Sequence, residues 1–291
     1  MTLEMANVNR HLPVWVVVKR SYGYVWENRS RLLLPLCIVL LWYLVILFAE
    51  APFLPRPTDD SLPSVVSLLT NLAASVAELV IAAAFAVGVH RMVLLGEVRD
   101  GFNFLRWDAD FRRYFWIAFT LLLLSVGPVM VLASAPVLDL ADEIGTPAYL
   151  ALALAVIAWV VWAILSIRLT LALPAAALGY IHCFKLSWRA TQQNLWRLLA
   201  VTAIVGLPIG IIEATVVAIA DAVLGTHFGS AAGSSTAIHL ALVRLPDITV
   251  SAVAAAISEA IYIASLSFSY DFLVRGSGQA LSQGNIGVFN D

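Results

Sequence analysis

The chain has 291 residues, 61% of them hydrophobic and 12% charged, with a formal net charge of −2 and a mean hydropathy of +0.90. A soluble domain carries about 25% charged residues, so half that share excludes an ordinary water-soluble globule, and the lack of a basic excess excludes a nucleic-acid binder. Two cysteines, Cys37 in an apolar run and Cys183 near Lys185, form no CxxC pair and offer neither a disulfide nor a metal site.

Residues 1–10 read as disordered. No apolar core followed by a small-residue cleavage site occurs before Arg31, so no cleavable signal is expected. From Pro13 to Trp26, Trp15, Val18, Tyr22 and Val25 share one helical face beside Lys19 and Arg20, which predicts a helix lying in a membrane interface. A first span is expected over Leu32–Ala49, with Pro35 in its first turn, where proline is tolerated. A polar hairpin, Pro52 to Pro63, leads to a second span over Val65–Val89, rich in small residues that let helices pack closely.

The segment 98–113 carries Phe104, Trp107 and Phe111 with four arginines and is expected to be a second interfacial helix. A third span over Tyr114–Ala135 is expected to be interrupted at Gly127-Pro128. An acidic turn, Asp139 to Thr146, precedes a fourth span over Ala148–Leu169, after which Pro174 breaks the helix. A third interfacial helix, Ile181–Asn194, aligns Phe184, Trp188 and Leu195. The fifth span, Leu198–Val223, holds a Gly206–Gly210 break. A Gly/Ser-rich stretch and a short outer helix over Ala237–Leu245 come before the sixth span, Ile248–Phe272, and a polar tail. Each span has the length needed to cross about 30 Å of hydrocarbon, and helices satisfy their own backbone groups there. The expected fold class is therefore an all-α integral membrane six-helix bundle.

One design returns three times: an aromatic amphipathic segment, then Asn or Asp, two residues, Arg, and an apolar run. Arg31, Arg113 and Arg197 stand 82 and 84 residues apart. Asn28, Asp110 and Asn194 keep those offsets, as do Ser21, Asn103 and Ser187. The spacing predicts three repeats of one interfacial helix plus two spans, at about 13–97, 98–179 and 181–275, within a single membrane domain 1–275 followed by a flexible tail 276–291. Fourteen Lys and Arg fall on the side of the termini and the interfacial segments, against two, Arg56 and Arg244, on the other. Positive residues stay inside, so both termini are expected in the cytoplasm, and the repeats share one orientation about an axis along the membrane normal.

Ser187-Trp188 through Asn194-Leu195-Trp196-Arg197, and Tyr270-Asp271-Phe272-Leu273 closing the sixth span, carry a resemblance. So do His90 through Glu97 and Leu173 through Gly179. The layout resembles bacterial six-span inner-membrane proteins, similar to the membrane domain attached to some glycerophosphodiester phosphodiesterases and to its stand-alone relatives. The resemblance implies an inner-membrane location and brings no catalytic residues, because that family's chemistry belongs to a separate soluble barrel.

No Walker loop, GxGxxG, HExxH or GxSxG motif occurs, and the five histidines show no ligand spacing, so no enzyme, cofactor or metal is expected. His90, Arg91, Arg168 and Arg197 are candidate lipid-headgroup contacts, against the plainer reading of snorkelling and topology setting. The tryptophans at 15, 26, 107, 188 and 196 read as interfacial anchors. Glu78, Glu213 and Glu259 are candidate membrane-cavity acids, since an ionisable group inside a span is a functional hypothesis by default; the alternative is a carboxyl that joins helices. Counted from Arg91, Arg197 and Arg275 they lie about 20, 24 and 24 Å deep, where desolvation favours a neutral carboxyl. The expected function is a non-enzymatic inner-membrane protein that interacts with lipid or supports a membrane complex. The alternative is a small proton-coupled transporter using those carboxylates. Expected partners are membrane lipids, with a protein partner or a second copy of the chain left open, and no nucleic acid.

Overall fold

In the computed structural model the described residues are 11–50, 65–97, 108–133, 148–228 and 237–276, with side chains described over most of them. Among these residues the chain is helical and has no strand. In order come α1 (Val14–Glu27), α2 (Arg29–Glu50), α3 (Val65–Leu95), α4 (Ala109–Ala133), α5 (Ala148–Thr170), α6 (Ala172–Ala177), α7 (Cys183–Thr191), α8 (Leu195–Phe228), α9 (Ala237–Tyr270) and a π-helical turn (Asp271–Arg275). Among the described residues, five stretches are long and apolar enough to cross a membrane: Arg29–Ile46, Leu72–Leu95, Val156–Ala177, Leu195–Ile212 and Val253–Arg275. The expected third span falls on α4, where side chains are described only as far as Leu124.

Several boundaries differ from expectation for local reasons. Pro35 lies inside α2, not in its first turn. The Asn28 carbonyl accepts the Arg31 and Leu32 N–H groups, at 3.0 and 3.1 Å, and so starts the helix before the apolar run. Residues 98–107 lie outside the described residues, and 109–113 form the opening of α4 instead of a separate interfacial helix. Asp108 fixes that start, its Oδ1 accepting the Phe111 N–H at 2.8 Å as an N-cap.

The expected breaks at Gly127-Pro128 and Gly206–Gly210 do not occur. Both α4 and α8 run through them, and Pro208 sits inside a 34-residue helix. One missing N–H costs a single bond there, and apolar surroundings hold the rest of the ladder. The break ascribed to Pro174 comes earlier, at Leu171, and Pro174 is part of α6. The short outer helix and the sixth span are one helix, α9. The hairpin 52–63, the acidic turn 139–146 and the tail beyond Gly276 lie outside the described residues.

The chain divides into two compact units, one of residues 14–107 and 200–265, the other of 1–13, 108–199 and 266–291. In the first, α2 packs on α3, and Trp42 Nε1 donates to the Ala77 carbonyl at 3.0 Å. The Tyr22 hydroxyl donates to the Val205 carbonyl at 3.2 Å, tying α1 to α8. The Tyr262 and Thr202 hydroxyls hydrogen-bond, tying α9 to α8. The small face of α3 is buried at Ala83, Ala84 and Ala86. In the second unit α4 packs on α5 and α6, and α7 packs on α5, α6 and the π-helical turn.

Burial repeats in register. Leu32, Tyr114 and Leu198 are buried at the 82- and 84-residue spacing, and so are Pro35, Ile117 and Val201. Three described residues have positive φ, all glycines: Gly96, Gly179 and Gly276, at 69°, 85° and 66°. Each ends a helical segment, where a left-handed C-terminal residue lets its N–H reach back to an orphan carbonyl. The acceptors are Met92, Ala176 and Asp271.

Candidate functional site

α7 is short because its sequence is amphipathic and bounded. Cys183, Ser187 and Thr191, four residues apart, form its buried stripe. Ser187 Oγ donates to the Arg168 carbonyl at the end of α5, and Thr191 Oγ1 to the Ser187 carbonyl. Cys183 Sγ donates to the Tyr180 carbonyl at 2.9 Å. Burial pushes the Cys183 thiol up, and the Arg113 guanidinium opposes this. The opposite side of α7 carries Phe184, Lys185, Trp188 and Arg189, all exposed. The Arg168 guanidinium lies over the Trp188 ring, 4.5 Å from its centroid, a cation–π contact.

The Asn/Asp-x-x-Arg motif has a visible role in this unit. The Leu12 N–H donates to Asn194 Oδ1 at 2.9 Å, and Arg197 Nη1 donates to the Leu12 carbonyl at 3.2 Å. One motif therefore clamps both polar groups of Leu12, just before α1. Arg113 Nη1 donates to Asp110 Oδ1 at 3.3 Å, and that pair closes on Gly179, just before α7. In the other unit, Asn28 Nδ2 donates to the Tyr24 carbonyl at 2.9 Å. Arg29 stacks over Trp26 at 4.9 Å.

The four candidate headgroup residues separate. His90 is fully buried in α3, as are its neighbours Val89 and Met92. Arg91 pairs with Glu97 through Nε at 2.8 Å and Nη2 at 3.0 Å. Arg197 serves the Leu12 clamp. Arg168 alone of the four joins an exposed aromatic and basic face.

Of the three candidate acids, Glu78 on α3 and Glu259 on α9 are both within electrostatic reach of Tyr43 on α2. All three belong to the first unit. Glu213 lies on α8, and its side chain is outside the described residues. Helical continuity through Gly206–Gly210 removes the unwound backbone expected to partner it.

Sequence reasoning missed Tyr43, whose signal was a hydroxyl in the middle of an apolar span. It also missed Lys185 and Arg189, whose spacing of four residues around Trp188 marks one helix face. Asp271, buried and 3.7 Å from Arg275 Nη1 in the π-helical turn, has no signal in the sequence beyond the resemblance. Among the described residues no cluster of His, Cys, Asp or Glu could hold a metal ion. Compared with known protein families, with curated proteins and with solved structures, the chain matches none.

Proposed function

We propose that this chain is a non-enzymatic multi-pass protein of a bacterial inner membrane, built of three repeats that share one orientation, and that it interacts with lipid at the cytoplasmic interface. The observation that carries the proposal is α7. Its polar stripe is buried against α5 and α6, while its exposed side mixes aromatic and basic residues beside the end of a membrane-length helix. An amphipathic helix of this kind lies with its aromatics at headgroup depth. Trp15, Trp26 and Trp196, at 69%, 70% and 72% exposure, extend the same chemistry to α1 and to the start of α8. The repeated burial register and the three helix-ending glycines support the repeat. The resemblance to stand-alone relatives of the phosphodiesterase membrane domain belongs to the same proposal. Native mass spectrometry of gently extracted protein tests it: co-purified lipid is expected, and protein that carries none under conditions retaining lipid on a control membrane protein would contradict it.

A second reading, a small proton-coupled transporter, is favoured by Glu78 and Glu259 both lying within electrostatic reach of Tyr43. Replacing Glu78, Glu213 and Glu259 by Gln keeps hydrogen bonding and removes titration. Unchanged proton-driven solute uptake in proteoliposomes of the triple variant would leave only a structural role for these acids.

A further inference from the structure

We propose that the face formed by Arg168, Lys185, Trp188 and Arg189 is a binding site for an anionic phospholipid headgroup. The inference rests on the lipid reading above and goes beyond it by naming the headgroup charge and the residues. No Asp or Glu occurs between Glu143 and Glu213, a stretch that holds Arg168, Lys185, Arg189 and Arg197. Among the described residues of this unit the acids are Asp108, Asp110 and Asp271. Asp108 caps α4, Asp110 pairs with Arg113, and Asp271 pairs with Arg275. Arg91, in the other unit, is likewise neutralised by Glu97. The cations at α7 differ in having no ion pair among the described residues, so their charge is open to an anion from the membrane.

The geometry suits a phosphate diester in the headgroup layer. Lys185, Trp188 and Arg189 occupy positions i, i+3 and i+4 of one helix face. Arg168, held by stacking on Trp188, adds a planar guanidinium with a fixed orientation. Ser187 ties the two helices at the Arg168 carbonyl, so the cations from α5 and α7 keep their relative places. The indole and the neighbouring Phe184, both 39% exposed, supply apolar surface for the glycerol and upper acyl region. Continuity with the membrane-length helix Val156–Ala177 argues for a bilayer lipid as the occupant.

The test uses the full chain in nanodiscs of phosphatidylcholine containing a minor fraction of phosphatidylglycerol, with retained lipids counted by native mass spectrometry. Wild type should retain phosphatidylglycerol preferentially. The variant K185Q/R189Q alters only exposed side chains. Each cation near an anionic surface changes affinity by about fivefold, so the loss should be roughly 25-fold. R168K, which keeps charge and loses the planar stack, should weaken selectivity less, and R112Q, which removes an exposed cation of α4, should not. Equal retention of the two lipids by wild type overturns the inference while leaving the lipid reading in place. So does phosphatidylglycerol selectivity unchanged in K185Q/R189Q. Displacement of the lipid by millimolar inorganic phosphate would assign the site to a soluble phosphate and overturn the lipid assignment. Absence of any co-purified lipid removes both readings.

Discussion

Gly179 shows how one residue joins backbone and side-chain constraints. Its φ of 85° disfavours any residue with a Cβ, and an added Cβ would lie 3.1 Å from Asp110 Oδ1. Gly96 has the same backbone state but nothing within 4 Å of that position. Gly96→Ala should therefore cost only the left-handed penalty of about 1–2 kcal/mol, and Gly179→Ala should cost more, because the Asp110–Arg113 pair must also shift. Thermal unfolding of the two variants in one detergent makes the comparison; equal losses would mean that the close approach is absent. Cys183 gives a pH-dependent case. Its thiol is raised above the ordinary value of 9.0 by burial, so the neutral form favours the folded state. That contribution is fully present below pH 9 and is lost as pH rises through the raised value. Unfolding followed from pH 8 to 10 should show wild type losing stability relative to Cys183→Ala, and parallel curves would contradict the burial.

At the scale of elements, α8 tests how a proline behaves in a long apolar helix. Pro208 is exposed and leaves the Ile204 carbonyl without its helical donor. Pro208→Ala restores that bond and should raise the melting temperature, by a stability gain of no more than about 3 kcal/mol; a lowered melting temperature would show that the proline is needed for packing. The sequence made the apolar helices legible because hydrophobic length is a strong signal. It overread Gly-Pro pairs as breaks, since composition does not report how well neighbours satisfy a single orphan carbonyl. The α7 stripe was half legible: aromatic spacing indicated Phe184 and Trp188, but the buried Cys183, Ser187 and Thr191 became clear only with Ser187 bonded to Arg168. A histidine beside an arginine at a span end reads as headgroup-facing, and the full burial of the His90 ring depends on packing that spacing does not report. The approach of Glu78 and Glu259 to Tyr43 was legible as depth along each span and not as a choice of partner, which depends on how α2, α3 and α9 are rotated.

At the scale of the molecule, the proposed function requires three repeats that enter the membrane from one side. In that proposal Arg31, Arg113 and Arg197 would mark the repeat starts, and Gly96, Gly179 and Gly276, which end helical segments, would mark the repeat ends. The two motif contacts in one unit follow a single rule: Asp110 and Arg113 hold Gly179 ahead of α7, and Asn194 and Arg197 hold Leu12 ahead of α1. Each motif grips the chain just before a short helix, as the proposed repeat would require. The direct measurement is sidedness. In a background with Cys37 and Cys183 replaced, single cysteines are placed at Glu97, His182 and Ser277, beside the three repeat ends, and at Asp59, Glu143 and Ser230, between the spans of each repeat. Intact cells are then treated with a membrane-impermeant maleimide. The account predicts labelling at 59, 143 and 230, and at 97, 182 and 277 only after permeabilisation; external labelling at any of the last three would contradict a common orientation.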